Sequence, residues 1–306
     1  MPNDDMIIPK ILPPSEDGVF KSLLTNPDAK DVLRDVAGSF LHMPIESVEV
    51  RNVEMPITDI REKRERFDVN CALSGGSQLN LEMQSESMSG DNALTGYRAI
   101  KSRAVYNLCS LHAGQAGRKV RYDELLRSYQ MTFCGYTVFP GRKGFVSRYS
   151  FRDEEGAELA DAVGIIFVEL TKVRDVAKKP VQSMTGEEAW GLFFAYASRR
   201  KYRGLIGELA AARREIKMAM EQLQAISKDE IERAHFRSRR MYQMDMDHNL
   251  IAAKDEGIAQ GRVEGRIEGR AEGKAEGATQ LAELIKKGYD VDAALKMMEE
   301  NKPLVK

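Results

Sequence analysis

Asp68, Glu82 and Gln84 are the residues whose types and spacing could do chemistry. Asp68 lies in the run Phe67-Asp68-Val69-Asn70-Cys71-Ala72-Leu73. Glu82 and Gln84 lie in Leu79-Asn80-Leu81-Glu82-Met83-Gln84, with a Gly-Gly pair between the two runs. A strand sends successive side chains to opposite faces. Leu79, Leu81 and Met83 then share one face, and Asn80, Glu82 and Gln84 the other. Phe67, Val69, Cys71 and Leu73 share a face, and Asp68 points away from them. Two carboxylates on the polar side of a half-apolar hairpin suit a hard divalent cation. Magnesium takes oxygen ligands, typically one or two carboxylates with waters and substrate phosphates. A solvated hairpin face is the plainer alternative.

The chemistry makes a demand on register. Directly opposed residues of an antiparallel pair share a face. If Leu73 paired with Gln78, Asp68 would oppose Met83 and the two acids would point apart. A three-residue loop, Ser74-Gly75-Gly76, pairs Leu73 with Ser77 instead and sets Asp68 against Glu82. Such loops favour a left-handed glycine as their last residue, which Gly76 can supply. The spacing therefore predicts this odd-length loop, or a bulge doing the same job.

The rest of the chain must position that hairpin. With 306 residues it can hold one large domain or two small ones. Its 46 basic and 47 acidic residues nearly cancel, which excludes a strongly basic nucleic-acid coat and leaves only local patches. Cys71, Cys109 and Cys134 sit in apolar contexts without pairing or metal spacing, and read as buried thiols of a reducing compartment. His42, His112, His235 and His248 have no ligand spacing, so zinc is not expected. No apolar stretch reaches the roughly 20 residues of a membrane span. No secretory signal is visible, so a cytoplasmic protein without membrane partners is expected.

Ser15-Glu16-Asp17 opens a short helix carrying Phe20, Leu23 and Leu24. Asn26-Pro27 reads as an N-cap followed by a first-turn proline, opening a second helix that Pro44 ends. Residues 47–57 suggest a bulged strand, and the hairpin follows. A helix capped by Asp91 or Asn92 runs to about Ala113. It carries Arg98, Lys101 and Arg103, with Arg118, Lys119 and Arg121 after it, the most basic part of the first half. Phosphate contact and a solvated helix face both fit those charges. Strands are expected over Tyr129–Phe139, Phe145–Phe151 and Val163–Leu170, the last covered on both faces. This alternation of helix and strand argues for a mixed α/β domain. Beyond Pro180 the chain turns helical, with Trp190, Phe193, Phe194 and Ala197 as an apolar stripe and Ser227-Lys228-Asp229-Glu230 as a capping box. From Gly257 to Gly277 a glycine recurs every four residues, the last four preceded by Glu264, Glu268, Glu272 and Glu276, with Arg266, Arg270 and Lys274 between. Within one helix this sets like charges four apart, and each glycine costs about 1 kcal/mol against alanine. The repeat is either a flexible charged linker or a helix that a second copy stabilises by pairing acidic with basic stripes. The tail is thus the expected route to a homo-oligomer.

The order of these elements resembles the PD-(D/E)xK nuclease core. More narrowly, the chain resembles the recombination-promoting nuclease and putative transposase family from Asp17 to Gly277. The likeness is carried by Asp17-Gly18-Val19-Phe20-Lys21, Arg66-Phe67-Asp68-Val69, Leu81-Glu82-Met83-Gln84 and Arg103-Ala104-Val105-Tyr106. Tyr149-Ser150-Phe151, Phe167-Val168-Glu169-Leu170-Thr171-Lys172, Trp190 and the Glu-Gly repeats continue it. It implies a nuclease-like mixed sheet flanked by helices over 15–178, after an arm at 1–14. A helical region over 179–256, the charged glycine repeat at 257–278 and a helical hairpin over 279–306 follow. The implied activity is that of a Mg2+-dependent DNA endonuclease, with Mn2+ as the other candidate metal, linked to recombination or mobile elements. Asp68 and Glu82 would be metal ligands, with the Met83 carbonyl as a third. Gln84 stands where the superfamily usually has lysine and offers neutral hydrogen bonds instead of a charge. Asp17 and Lys21 would border the site. Lys101, Arg103, Arg118, Lys119 and Arg121 would touch DNA phosphates. A non-catalytic DNA-binding or assembly protein on the same scaffold is the alternative.

Overall fold

The computed structural model describes residues 11–51, 69–85, 93–116, 120–228 and 230–300. Residues 1–236 and 237–306 form two units.

In the first unit, α1 (Asp17–Thr25) buries Val19, Phe20, Leu23 and Leu24 along one stripe. Asn26 then accepts a hydrogen bond from the Asp28 N–H at 3.0 Å, and Pro27 opens a single tight turn ahead of α2 (Lys30–Leu41). α2 ends on His42, in the left-handed conformation at φ 54°. The strands are β1 (Val48–Val50), β2 (Val69–Leu73), β3 (Gln78–Gln84), β4 (Ser128–Cys134), β5 (Val146–Tyr149) and β6 (Val163–Glu169), with α3 (Ala93–Ala113) between β3 and β4. They form one mixed sheet in the order β1-β2-β3-β4-β6-β5. β3, β4 and β6 run parallel to one another, and β1, β2 and β5 pair antiparallel. The parallel β3–β4 step needs a crossover, and α3 supplies it.

The hairpin register is the one the Gly-Gly spacing predicts. The Leu73 N–H donates to the Ser77 carbonyl at 2.7 Å, and Val69 opposes Leu81, Asn70 opposes Asn80 and Cys71 opposes Leu79. Gly75 (φ 80°) and Gly76 (φ 85°) take the positive angles that close the odd-length loop. A Cβ at Gly76 would also collide with Leu126 Cδ1. Gly76→Ala is accordingly expected to destabilise the fold by roughly 1–3 kcal/mol, the usual cost of a non-glycine residue held in that region. A urea midpoint equal to that of the wild type would contradict this.

Each strand serves two layers. Leu79, Leu81 and Met83 of β3, Met131 and Phe133 of β4, and Ile166 and Val168 of β6 face the main core with α1 and α2. α4 (Gly186–Tyr196), α5 (Arg203–Ala212) and α6 (Arg214–Lys228) complete that side. Trp190 is wholly buried there, stacked on Phe194, with its Nε1–H donating to Asp35 at 2.8 Å, so it is a packing residue. The opposite face is covered by α3, whose Ile100, Ala104 and Leu108 meet Cys134, Ile165 and Phe167.

Three expectations need correction. β4 stops at Cys134, not Phe139, because the Val138 and Phe139 N–H groups are captured by the Glu169 carboxylate at 2.7 and 3.0 Å. Cys109 is exposed, whereas Cys71 and Cys134 are buried. Ser227 lies inside the last turn of α6 and not ahead of the next helix, donating to the Leu223 carbonyl at 2.6 Å and accepting from the Leu12 N–H at 2.9 Å.

α7 (Glu230–Lys286) runs from the first unit into the second. Residues 257–276, which hold most of the glycine repeat, are helical and exposed. In the second unit Gly288 (φ 94°) turns the chain after α7, and Asp290 accepts from the Ala293 N–H at 2.9 Å to start α8 (Val291–Glu300).

Candidate active site

Period-two alternation sends Asn80, Glu82 and Gln84 of β3 toward α3, beside Gln130 and Thr132 of β4. Asn80, Glu82, Gln130 and Thr132 are all buried, so the sheet carries a polar seam under α3. Buried polar groups need partners, and here they find one another. Asn80 Nδ2 donates to Gln130 Oε1 at 2.7 Å, and Gln130 Nε2 donates to Thr132 Oγ1 at 3.1 Å and to Glu82 Oε2 at 3.3 Å.

Glu82 is the centre of the seam. Its Oε2 also accepts from Asn107 Nδ2 of α3 at 3.3 Å. Its Oε1 accepts from Gln84 Nε2 at 2.8 Å and forms an ion pair with Arg103. Burial pushes the Glu82 carboxyl above its ordinary value, against the pull of Arg103 and the Gln84 and Asn107 hydrogen bonds. The negative charge of Asp17 pushes the same way, so the start of α1 lies within electrostatic reach of Glu82. Asp17 itself is exposed, and Lys21 is half-buried.

The other expected site residues divide. Gln84 joins Glu82, and Met83 buries its side chain in the main core. The Gln84 carbonyl accepts from Gly135 on the β4 side, and the Ser77 carbonyl accepts from Leu73 on the β2 side. Carbonyls alternate along a strand, so that of Met83 is aimed toward β2. Arg103 reaches Glu82. Lys101, two residues earlier, lies on the other flank of α3, with Nζ 4.6 Å from the centre of the Phe139 ring. Arg121 is exposed and engages Asp123 through two hydrogen bonds of 3.0 and 2.7 Å. Asp68, Arg118 and Lys119 lie outside the described residues.

Could these residues hold a hard cation? Asn70 and Asn80 oppose each other in the ladder beside Glu82, and each has a buried side-chain oxygen with no donor. Orphaned acceptors next to a buried carboxylate are a setting that a cation or a water satisfies. The unpartnered acceptors beside Glu82 are amide oxygens, which suits Mg2+ or Mn2+. Cys134 shares this side of the sheet, but burial and the Glu169 and Glu82 charges keep its thiol protonated. Among the described residues no group of three His, Cys, Asp or Glu side chains could hold a metal by itself. The residues fit a cation with Glu82 as one carboxylate, once Arg103, half exposed, moves off Oε1.

The chain matches the family model of the PD-(D/E)XK nuclease family transposases over residues 14–253. It belongs to that family. The match opens ahead of α1, spans the whole sheet and ends inside α7. Comparison with curated proteins and with solved structures finds no match. No described helix of the chain is long and apolar enough to cross a membrane.

Asn80, Asn107 and Gln130 are the site residues that sequence reasoning passes over. A signal was present: Asn-x-Glu-x-Gln at 80–84 and Gln-x-Thr at 130–132 are polar alternations on two strands that become neighbours. The resemblance also drew in Glu169 and Lys172, and these hold a loop together. Lys172 Nζ donates to Glu169 Oε2 and to the Phe139 carbonyl, both at 2.7 Å.

Proposed function

We propose that this chain is a divalent-metal-dependent DNA endonuclease that hydrolyses phosphodiester bonds in recombination or in the movement of mobile elements. The observation that carries the reading is a buried glutamate, raised by desolvation, on the β3 strand of a chain that belongs to a nuclease and transposase family. Asp68, one residue ahead of Val69, would join Glu82 and the Met83 carbonyl in holding Mg2+, with Mn2+ as the alternative. The bound ion supplies Lewis acidity at the phosphoryl oxygens and a bound water of lowered pKa. Gln84 donates to Glu82 through Nε2, which leaves its amide oxygen to accept from the attacking water and fix that water's direction. Arg103, released from Glu82, supplies a cation for the phosphate. Such contacts position DNA without reading its sequence and make binding fall with salt. The exposed tail helix would join copies of the chain, and the protein would work in the cytoplasm.

A second reading draws on the same geometry. Both Glu82 oxygens are taken by protein donors, and Gln84 brings no charge, as in a DNA-binding or assembly protein on a nuclease scaffold. Supercoiled plasmid with Mg2+ or Mn2+ separates the two. Nicking by the wild type that disappears in Asp68→Ala and in Glu82→Ala supports the enzyme. Equal nicking by all three proteins, or binding with no cleavage, rejects it.

A further inference from the structure

On the β5–β6 flank of α3, away from Glu82, the surface opens into a groove of about 290 Å³. Its walls are Val105, Phe139, Tyr149 and Phe151, over Ile165 and Phe167 of β6. Phe151 and Val105 are 58 % and 51 % exposed, unusual for large apolar side chains placed together. Lys101 alone among the lining residues carries a charge. Its Nζ sits 4.6 Å from the centre of Phe139, and the Arg142 guanidinium lies 5.6 and 5.2 Å from the centres of Phe139 and Tyr149. The groove therefore combines aromatic rings with one cation in its lining and a second beside two of those rings.

Its place in the sheet ties it to Glu82. Glu82 pairs with Thr132, and Thr132 pairs with Phe167, so Phe167 lies two strands away along one row. Strands lie about 4.8 Å apart, which makes that separation about 10 Å. This equals about three base steps of 3.4 Å along a DNA strand.

We infer that this groove is a stacking site for an unpaired nucleobase of DNA, so that the preferred substrate carries a single-stranded stretch close to the cleavage point. The inference rests on the nuclease reading and names the substrate class for it. Aromatic faces stack any base, and neighbouring cations hold the phosphates that flank it. A continuous duplex keeps its bases inside the helix and cannot fill the groove. An aliphatic peptide has no use for cations poised over rings. The loop after Phe151 is acidic, but Asp153 accepts from the Glu155 and Ala157 N–H groups, Glu158 pairs with Arg152, and Asp161 with Arg127. Glu154 and Glu155 keep that end negative, so the strand leaves on the Lys101 and Arg142 side.

The test uses the full chain without divalent metal, so that binding is read and not cleavage. Fluorescence anisotropy compares a labelled blunt duplex, the same duplex with a single-stranded extension, and that extension with abasic sites. The extension is expected to tighten binding about ten-fold, in line with base–aromatic stacking, and abasic sites to remove the gain. Phe151→Ala and Tyr149→Ala, checked for unchanged melting temperature, are expected to bring the ratio of extended to blunt affinity close to one. A wild-type ratio near one, or a ratio that both variants leave intact, overturns the proposal. A solution mass of two chains that falls to one in Phe151→Ala, with the ratio unmoved, assigns the face to a second copy and also overturns it. With Mg2+ then added to the same DNAs, Glu82-dependent cleavage with no preference for the extension sinks the groove alone. No binding to any of the DNAs sinks the nuclease reading with it.

Discussion

Glu82→Gln is expected to abolish plasmid nicking while leaving a protein that unfolds at no lower temperature than the wild type at neutral pH. Partners that merely orient a metal ligand are each worth about 10–100-fold, so replacing the ligand carboxylate should cost more than about 100-fold. The stability follows from linkage. Burial raises the Glu82 carboxyl above 4.5, so between that value and its folded-state value the native chain holds a proton that the unfolded chain has lost. Stability contributed by this group is fully present below 4.5 and declines as pH rises through the folded value. Glutamine cannot ionise and escapes that decline. It keeps an oxygen for Gln84 and Arg103, and the Asn107 amide can turn its own oxygen toward the new NH2 group, while Gln130 Nε2 gives up its 3.3 Å bond to that position and keeps the one to Thr132. The gap in melting temperature between Glu82→Gln and wild type should therefore widen from pH 4 to pH 8, roughly in the 0.5–2 kcal/mol range common for a single stabilising replacement. Mg2+ should narrow the gap, because it stabilises only the chain that binds it. A variant that still nicks, or one whose deficit in stability grows with pH, would refute the role given to Glu82.

Much of this site was legible because it needs only period two and a glycine pair. The alternation through 79–84 fixes which face carries Glu82, and Gly75-Gly76 fixes the odd loop that sets the register. What local pattern could not show was set by distant residues. Tyr136–Phe139 reads as strand, yet Glu169, about thirty positions on, takes the N–H groups that a ladder would have used. Ser227 looks like a cap, yet Leu12 from the other end of the chain supplies its partner. The basic run on α3 reads as one patch, but residues two apart differ by about 200° around a helix. Arg103 consequently meets Glu82 while Lys101 joins the aromatic groove. That split divides a featureless charge cluster into a carboxylate partner and a candidate DNA contact.

Lys172→Met is expected to be the most destabilising single change outside the hydrophobic core. Glu169 is wholly buried, and Lys172 is 12 % exposed, so their ion pair lies almost entirely out of water. Removing one partner of a buried pair strands the other charge and typically costs about 3–5 kcal/mol. The loss is compounded because Lys172 also donates to the Phe139 carbonyl. Replacing both partners should be far milder. In Glu169→Gln with Lys172→Met, the glutamine oxygen still accepts from the Val138 and Phe139 N–H groups, and no charge is left behind. Urea unfolding of the two single variants and the double variant gives the coupling directly. A Lys172→Met cost inside the roughly 0.5 kcal/mol of an ordinary surface change would show that the pair does not hold the loop. The same chemistry reaches the groove, because Glu169 and Lys172 fix the backbone of Phe139, one of its walls. Where the double variant folds with that wall restored, preference for DNA bearing an unpaired stretch should return with it.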